Sequence, residues 1–82
     1  MNTITVKFFS LLKEKVGATS INIDIAEGAT IAELKKQLTQ QFPSLETLLT
    51  NILILINNKV AINEDIIPKN CTVSFMPPIG GG

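Results

Sequence analysis

The stretch Gly28-Ala29-Thr30-Ile31-Ala32-Glu33-Leu34-Lys35-Lys36-Gln37-Leu38-Thr39-Gln40-Gln41-Phe42-Pro43 decides the fold. Thr30 and Glu33 have capping-box spacing, so hydroxyl and carboxylate can each satisfy a backbone amide that lacks a partner at a helix start. Ile31, Leu34, Leu38 and Phe42 recur at intervals of three, four and four and form one apolar stripe, while Glu33, Lys36, Gln37 and Gln40 occupy the other positions. Pro43 disfavours helical dihedrals at Phe42, which places the helix end near Gln41. One face of this helix must be covered, and the flanking segments read as the strands that cover it.

Upstream, Ile4, Val6 and Phe8 alternate with Thr5, Lys7 and Phe9, the period of a strand with one face on a core. Ser10 is positioned to cap a short helical turn over Leu11 to Val16, and Gly17 to end it in the left-handed region. Ile21, Ile23 and Ile25 form a second alternating strand, most simply antiparallel to the first. Downstream, Ser44 can cap a brief turn through Leu49. Ile52 to Ile56 is apolar at every position, which suits a central strand or one covered on both faces. Asn57 and Asn58 tolerate positive φ and turn the chain into a short edge strand, Val60 to Ile62. Glu64 to Asn70, with Pro68 inside it, reads as an irregular crossing. Cys71, Val73 and Phe75 then share one face of a last strand, with Thr72, Ser74 and Met76 on the other. Two strands, a helix and further strands make a small α+β roll. Its compact form pairs the first and last strands in parallel with the helix across them, giving a β-grasp with a mixed sheet. Residues 1–76 form one domain and 77–82 a tail.

Composition narrows the function classes. A chain of 82 residues is one domain, and at this size a dense apolar core must supply the stability. With one cysteine, Cys71, and no histidine, an internal disulfide and the common zinc patterns are excluded. Seven lysines balance seven acidic residues and arginine is absent, so the basic footprint of a nucleic-acid binder is missing. The longest apolar run is far shorter than the roughly 20 residues of a membrane span. The N-terminus lacks a signal-peptide pattern, and a cytoplasmic location is expected. Cys71 shares the parity of Val73 and Phe75 and reads as core. Glu14, Glu64 and Asp65 read as solvated charge, and no metal site is expected.

The chemistry resides in Phe75-Met76-Pro77-Pro78-Ile79-Gly80-Gly81-Gly82. Pro77 and Pro78 cannot donate to a sheet ladder and so project the tail away from it. Gly80, Gly81 and Gly82 can thread a channel too narrow for side chains and present the Gly82 carboxylate to another protein. Strand parity adds a second element. Phe9 and Met76 face away from the helix at the root of the tail, where Val60 can join them in an apolar docking patch.

These residues resemble the small, sulfur-carrying subunits of molybdopterin synthase, a ubiquitin-like family. The similarity is most specific from Phe75 to Gly82. It extends to Val6-Lys7-Phe8-Phe9, to Lys13-Glu14-Lys15-Val16-Gly17 and to Ile56-Asn57-Asn58. Lys13 stands where arginine is common, and Lys69-Asn70-Cys71 replaces the family's usual turn before the last strand. The resemblance implies that an adenylating enzyme, using ATP and magnesium, joins the Gly82 carboxylate to AMP. A separate sulfur donor then converts it to a thiocarboxylate. In the synthase large subunit this tail would give its sulfur to cyclic pyranopterin monophosphate. No cofactor would be held stably by the chain itself, and no complete active site would reside in it alone. Alternatives are a sulfur carrier for thiamin thiazole or another small molecule, a ubiquitin-like modifier of lysines, and an interaction module whose tail is never activated.

Overall fold

A computed structural model describes residues 1–77. Its elements are β1 (Asn2–Phe8), α1 (Leu11–Val16), β2 (Ser20–Ile25), α2 (Ile31–Gln41), a 3-10 turn (Pro43–Leu45), β3 (Leu53–Ile56), β4 (Lys59–Val60) and β5 (Thr72–Met76). The sheet has five strands in the order β2-β1-β5-β3-β4. β1 is antiparallel to β2 and parallel to β5, while β3 is antiparallel to both β5 and β4. This is the expected mixed β-grasp sheet, with the first and last strands side by side at its centre.

The inward parity of the strands and the stripe of α2 meet in one cluster. Ile4, Val6 and Phe8 from β1, Ile23 and Ile25 from β2, Ile54 from β3, and Val73 and Phe75 from β5 pack with Ile31, Leu34 and Leu38. The Phe8 and Phe75 rings stack across the parallel pair at a centroid separation of 6.3 Å, within the range of favourable aromatic pairs. The capping box of α2 forms in both directions. Thr30 Oγ1 accepts from the Glu33 amide at 3.3 Å, and Glu33 Oε1 accepts from the Thr30 amide at 2.9 Å. At the other end Phe42 leaves the helical region and Pro43 starts the 3-10 turn. Leu45 and Leu49, in the segment that follows, are buried in the core.

Four local expectations are corrected. Ser10 does not cap α1 through its side chain; it takes φ 55° and ψ −130°, and the helix starts on backbone bonds from Leu12 to Phe9 and from Lys13 to Ser10. Ser44 lies inside the 3-10 turn and does not cap it. The edge strand is Lys59–Val60, not 60–62. The Ala61 amide still donates to Ile54 O, but the Ile62 amide donates to Asp65 Oδ2 at 2.9 Å, and this carboxylate draws the chain out of the ladder. The crossing over 64–70 is also more ordered than its composition implies. It returns against the start of α2, where the amides of Ile31 and Ala32 donate to Asp65 O and Asn63 O, and the Ile67 amide donates to Ala29 O.

Two asparagines fasten the ends of β5's approach. Asn57, at φ 48°, accepts from the Thr72 amide through Oδ1 at 3.0 Å. Asn2 is buried at 3% exposure; its Nδ2 donates to Pro68 O at 2.9 Å and its Oδ1 accepts from the Asn70 amide at 3.0 Å. The segment that feeds Cys71 into the sheet is thereby held to the first residues of β1.

Candidate functional site

Register determines which side chains share the sheet face opposite α2. Phe8 pairs with Phe75, so Phe9, one residue beyond β1, lies beside Met76, one residue further along β5. Met76 pairs with Leu53, Ser74 with Leu55, and Leu55 with Val60. Directly paired residues point to the same face and successive residues to opposite faces. Met76, Leu53, Leu55 and Val60 therefore form a continuous apolar path from the root of the tail to the edge of the sheet. Val60 is 71% exposed, and Met76, Leu53 and Leu55 are half-buried.

This path shows where the expected patch holds and where it must be redrawn. Phe9 and Met76 are adjacent by register, as their parity implies. Val60 is three strands away from β1, about 14 Å at a spacing of about 4.8 Å per strand, and is linked to the other two only through Leu53 and Leu55. Those two leucines escaped the sequence reading, in which a wholly apolar strand is explained by cover on both faces. β3 is interior to the sheet, but α2 covers only one face of it, where Ile54 is buried. The signal was the run itself: apolar residues of both parities beside an edge strand leave one set without cover.

Beside Met76 the chain passes into Pro77, which lines an apolar hollow of about 200 Å³ with Phe9, Leu11, Leu12, Leu48 and Ile52. Phe9 is 38% exposed and Leu11 48%. A second hollow of about 350 Å³ on the other side of Phe9 is lined by Lys7, Lys13, Thr19 and Ser20, with no acidic group in its wall. The tail root is thus apolar on one side of Phe9 and basic on the other. Pro78, Gly80, Gly81 and Gly82, the remaining expected site residues, lie outside the described residues.

Cys71 is 3% exposed and free. Burial pushes its thiol pKa up, opposed by a hydrogen bond with the backbone, so the thiol stays protonated at neutral pH and is a poor nucleophile. Among the described residues no group of histidine, cysteine and carboxylate side chains could hold a metal ion. No helix among them is long and apolar enough to cross a membrane. What the described residues can do chemically is limited to presentation: a five-stranded sheet, an apolar strip and a central strand that leads into Pro77.

The model of the ThiS family matches residues 6–82. The chain belongs to the ThiS family. Over 79 residues it is 25% identical to the molybdopterin synthase sulfur carrier subunit of Arabidopsis thaliana, covering 96% of this chain and 82% of that protein. The crystal structure of Haloferax volcanii small archaeal modifier protein 1 superposes with a TM-score of 0.87 at 21% identity, covering 96% of this chain and 100% of the other. Subunit 1 and 2 of the molybdopterin-converting factor of Helicobacter pylori have been solved as a complex. A chain of it aligns with a TM-score of 0.68 at 22% identity, over 98% of this ThiS-family chain and 99% of its own length. These structural likenesses establish the β-grasp fold.

Proposed function

We propose that this ThiS-family protein carries sulfur as a thiocarboxylate on Gly82 and delivers it as the small subunit of a molybdopterin synthase. The observation that carries the reading is the apolar path beside the strand that leads into the tail. The central strand β5 runs past a continuous apolar path and passes through Pro77 toward a sequence that ends in glycines. The family match and the sulfur-carrier relative from Arabidopsis support the chemistry, and the two-subunit complex from Helicobacter supports a larger partner.

The reaction begins with a poor electrophile, a carboxylate. An adenylating enzyme uses ATP with magnesium to form the acyl adenylate at Gly82, releasing pyrophosphate. A persulfide sulfur from a donor attacks the acyl carbon and AMP leaves. Reduction of the resulting acyl disulfide by a thiol frees the thiocarboxylate. In the large subunit the thiocarboxylate sulfur attacks a carbon of the pterin precursor and displaces an oxygen leaving group; water then cleaves the acyl–sulfur bond of the resulting thioester, leaving sulfur on the pterin and the carboxylate on Gly82. This chain supplies the carried atom, and its partners supply the catalytic groups, as for a covalent carrier. Its own part is to dock by Phe9, Met76, Leu53, Leu55 and Val60 and to keep Gly80 to Gly82 slender enough to enter an active site. Lys7 and Lys13 beside Phe9 fit acidic groups on the docking partner.

Reconstitution tests the pathway. The purified chain, an adenylating enzyme, ATP, magnesium, a persulfide donor and a thiol reductant are combined, then a synthase large subunit and cyclic pyranopterin monophosphate are added. Formation of molybdopterin in proportion to the thiocarboxylated chain supports the reading. A loaded chain that yields no molybdopterin but joins lysines of other proteins would replace it with the modifier function.

A further inference from the structure

We infer that the free edge of β2 pairs with the same edge of a second copy, forming a symmetric dimer with a continuous sheet. The direction of each β2 backbone group follows from two hydrogen bonds. The Phe8 amide donates to Thr19 O, and the Thr5 amide donates to Cys71 O. Even-numbered β1 residues therefore bond toward β2 and odd-numbered ones toward β5. Because antiparallel pairs alternate, Val6–Ile21 and Ile4–Ile23 are the bonded pairs, whereas Thr5–Asn22 and Thr3–Asp24 are not. The amides and carbonyls of Ser20, Asn22 and Asp24 consequently point out of the sheet. Asp24 O accepts from Gln37 Nε2 of α2 at 2.9 Å, which leaves a lone pair for a second donor.

Exposed edges are commonly blunted by lysine, proline, a bulge or extreme shortness. β4 has a lysine and only two residues, Lys59 and Val60. β2 is six residues long, Ser20–Ile25, with no lysine and no proline, and its pairing with β1 runs without a bulge. Its outward groups are symmetric about Asn22. An antiparallel second copy in that register sets Asn22 opposite Asn22 and Ser20 opposite Asp24, so each outward pair can exchange backbone bonds. On the α2 side, half-buried Ile21 comes opposite Ile23 of the other copy. On the far side Lys7 is the cross-strand neighbour of Ser20. The row then reads Lys7, Ser20 and the other copy's Asp24, and the small serine leaves Lys7 room to reach that carboxylate. Two such charge pairs form by symmetry, with no like charges opposed. This self-complementarity selects a second copy over an unrelated extended peptide. The Met76–Leu53–Leu55–Val60 path lies toward the opposite edge and stays open in the dimer.

Sedimentation velocity of the full chain, from low micromolar to millimolar at low salt, is the test. The weight-average mass should rise toward twice the monomer value. Asn22→Pro removes an outward-pointing amide and the exposed bond from Thr5 Oγ1 to Asn22 Oδ1 at 3.1 Å, but no backbone bond between β1 and β2, so it should fold, with an unchanged circular dichroism spectrum, and stay monomeric. Asp24→Lys should weaken dimerisation at least fivefold, and Lys7→Asp combined with Asp24→Lys should restore it, which decides the matter if the proline variant fails to fold. A wild-type chain that is monomeric throughout, or a dimer indifferent to these charges, would overturn the inference.

Discussion

Asn2 and Cys71 show how much a single side chain can do here without touching the chemistry. Asn2 is the polar residue in a parity set of Ile4, Val6 and Phe8, and the structure explains it through the two bonds to Pro68 and Asn70. Replacing it by leucine would leave the part-buried Pro68 carbonyl and Asn70 amide without this partner, so Asn2→Leu should cost about 1 kcal/mol in urea unfolding. An unchanged midpoint would mean that the segment before β5 does not need this tie. Cys71→Ser places a hydroxyl in the core and should cost about 1 to 3 kcal/mol, while sulfur acquisition at Gly82 continues. The thiol also sets a pH signature. Its folded pKa is raised above the unfolded value, so the folded state binds more proton and stability falls as pH rises past the unfolded pKa of about 8.5. Lys35 is shifted down by burial and acts in the opposite sense near its own, higher range. Melting curves between pH 8 and 9.5 should therefore decline for the wild type and flatten in Cys71→Ser. Equal slopes would show that the thiol is not the titrating group.

At the scale of the elements, the proposed docking depends on β3, β4 and β5 presenting one face together. Met76→Glu and Leu55→Glu should fold but bind a synthase large subunit and an adenylating enzyme at least about 2 kcal/mol more weakly, because each would bury an unpaired carboxylate in the contact. Calorimetric titration with purified partners measures this, and full affinity in folded variants would remove the strip from the docking model. The same elements show what a sequence can disclose. α2 was readable because its stripe and both of its ends carry separate, concordant signals: Thr30 with Glu33, the spacing of Ile31, Leu34 and Leu38, and Pro43. β1 and β5 were readable because alternation states which face is inward, and Phe9 and Met76 follow from that parity. Leu53 and Leu55 were not, since a run apolar at every position has no period from which to tell a covered face from an open one. Ser10 misled for a related reason: a capping residue has several uses, and here the backbone alone starts the helix. Asp65, read as solvated charge, instead accepts from the Ile62 amide three residues before it and ends the β4 ladder.

For the whole molecule, the proposal makes fold and chemistry separable. Among the described residues the buried hydrophobic core runs from Ile4 to Phe75, and β5 ends at Met76. Deleting Gly81 and Gly82 should leave the melting temperature within about 2 °C of the wild type, since glycine has no side chain to bury, and should abolish sulfur loading. A large fall in melting temperature would show that the glycines stabilise the domain. The central claim is that sulfur travels on Gly82, and intact-mass spectrometry of the chain isolated from its own cells addresses it most directly. Replacement of oxygen by sulfur adds about 16 Da, the increment expected for a carried thiocarboxylate. Methionine oxidation adds nearly the same mass, so fragmentation must locate the gain. A carrier shows it on Gly82, and shows it lost when the adenylating enzyme is absent. A gain found only on Met1 or Met76, or an unmodified Gly82 in cells that are making molybdopterin, would contradict the claim.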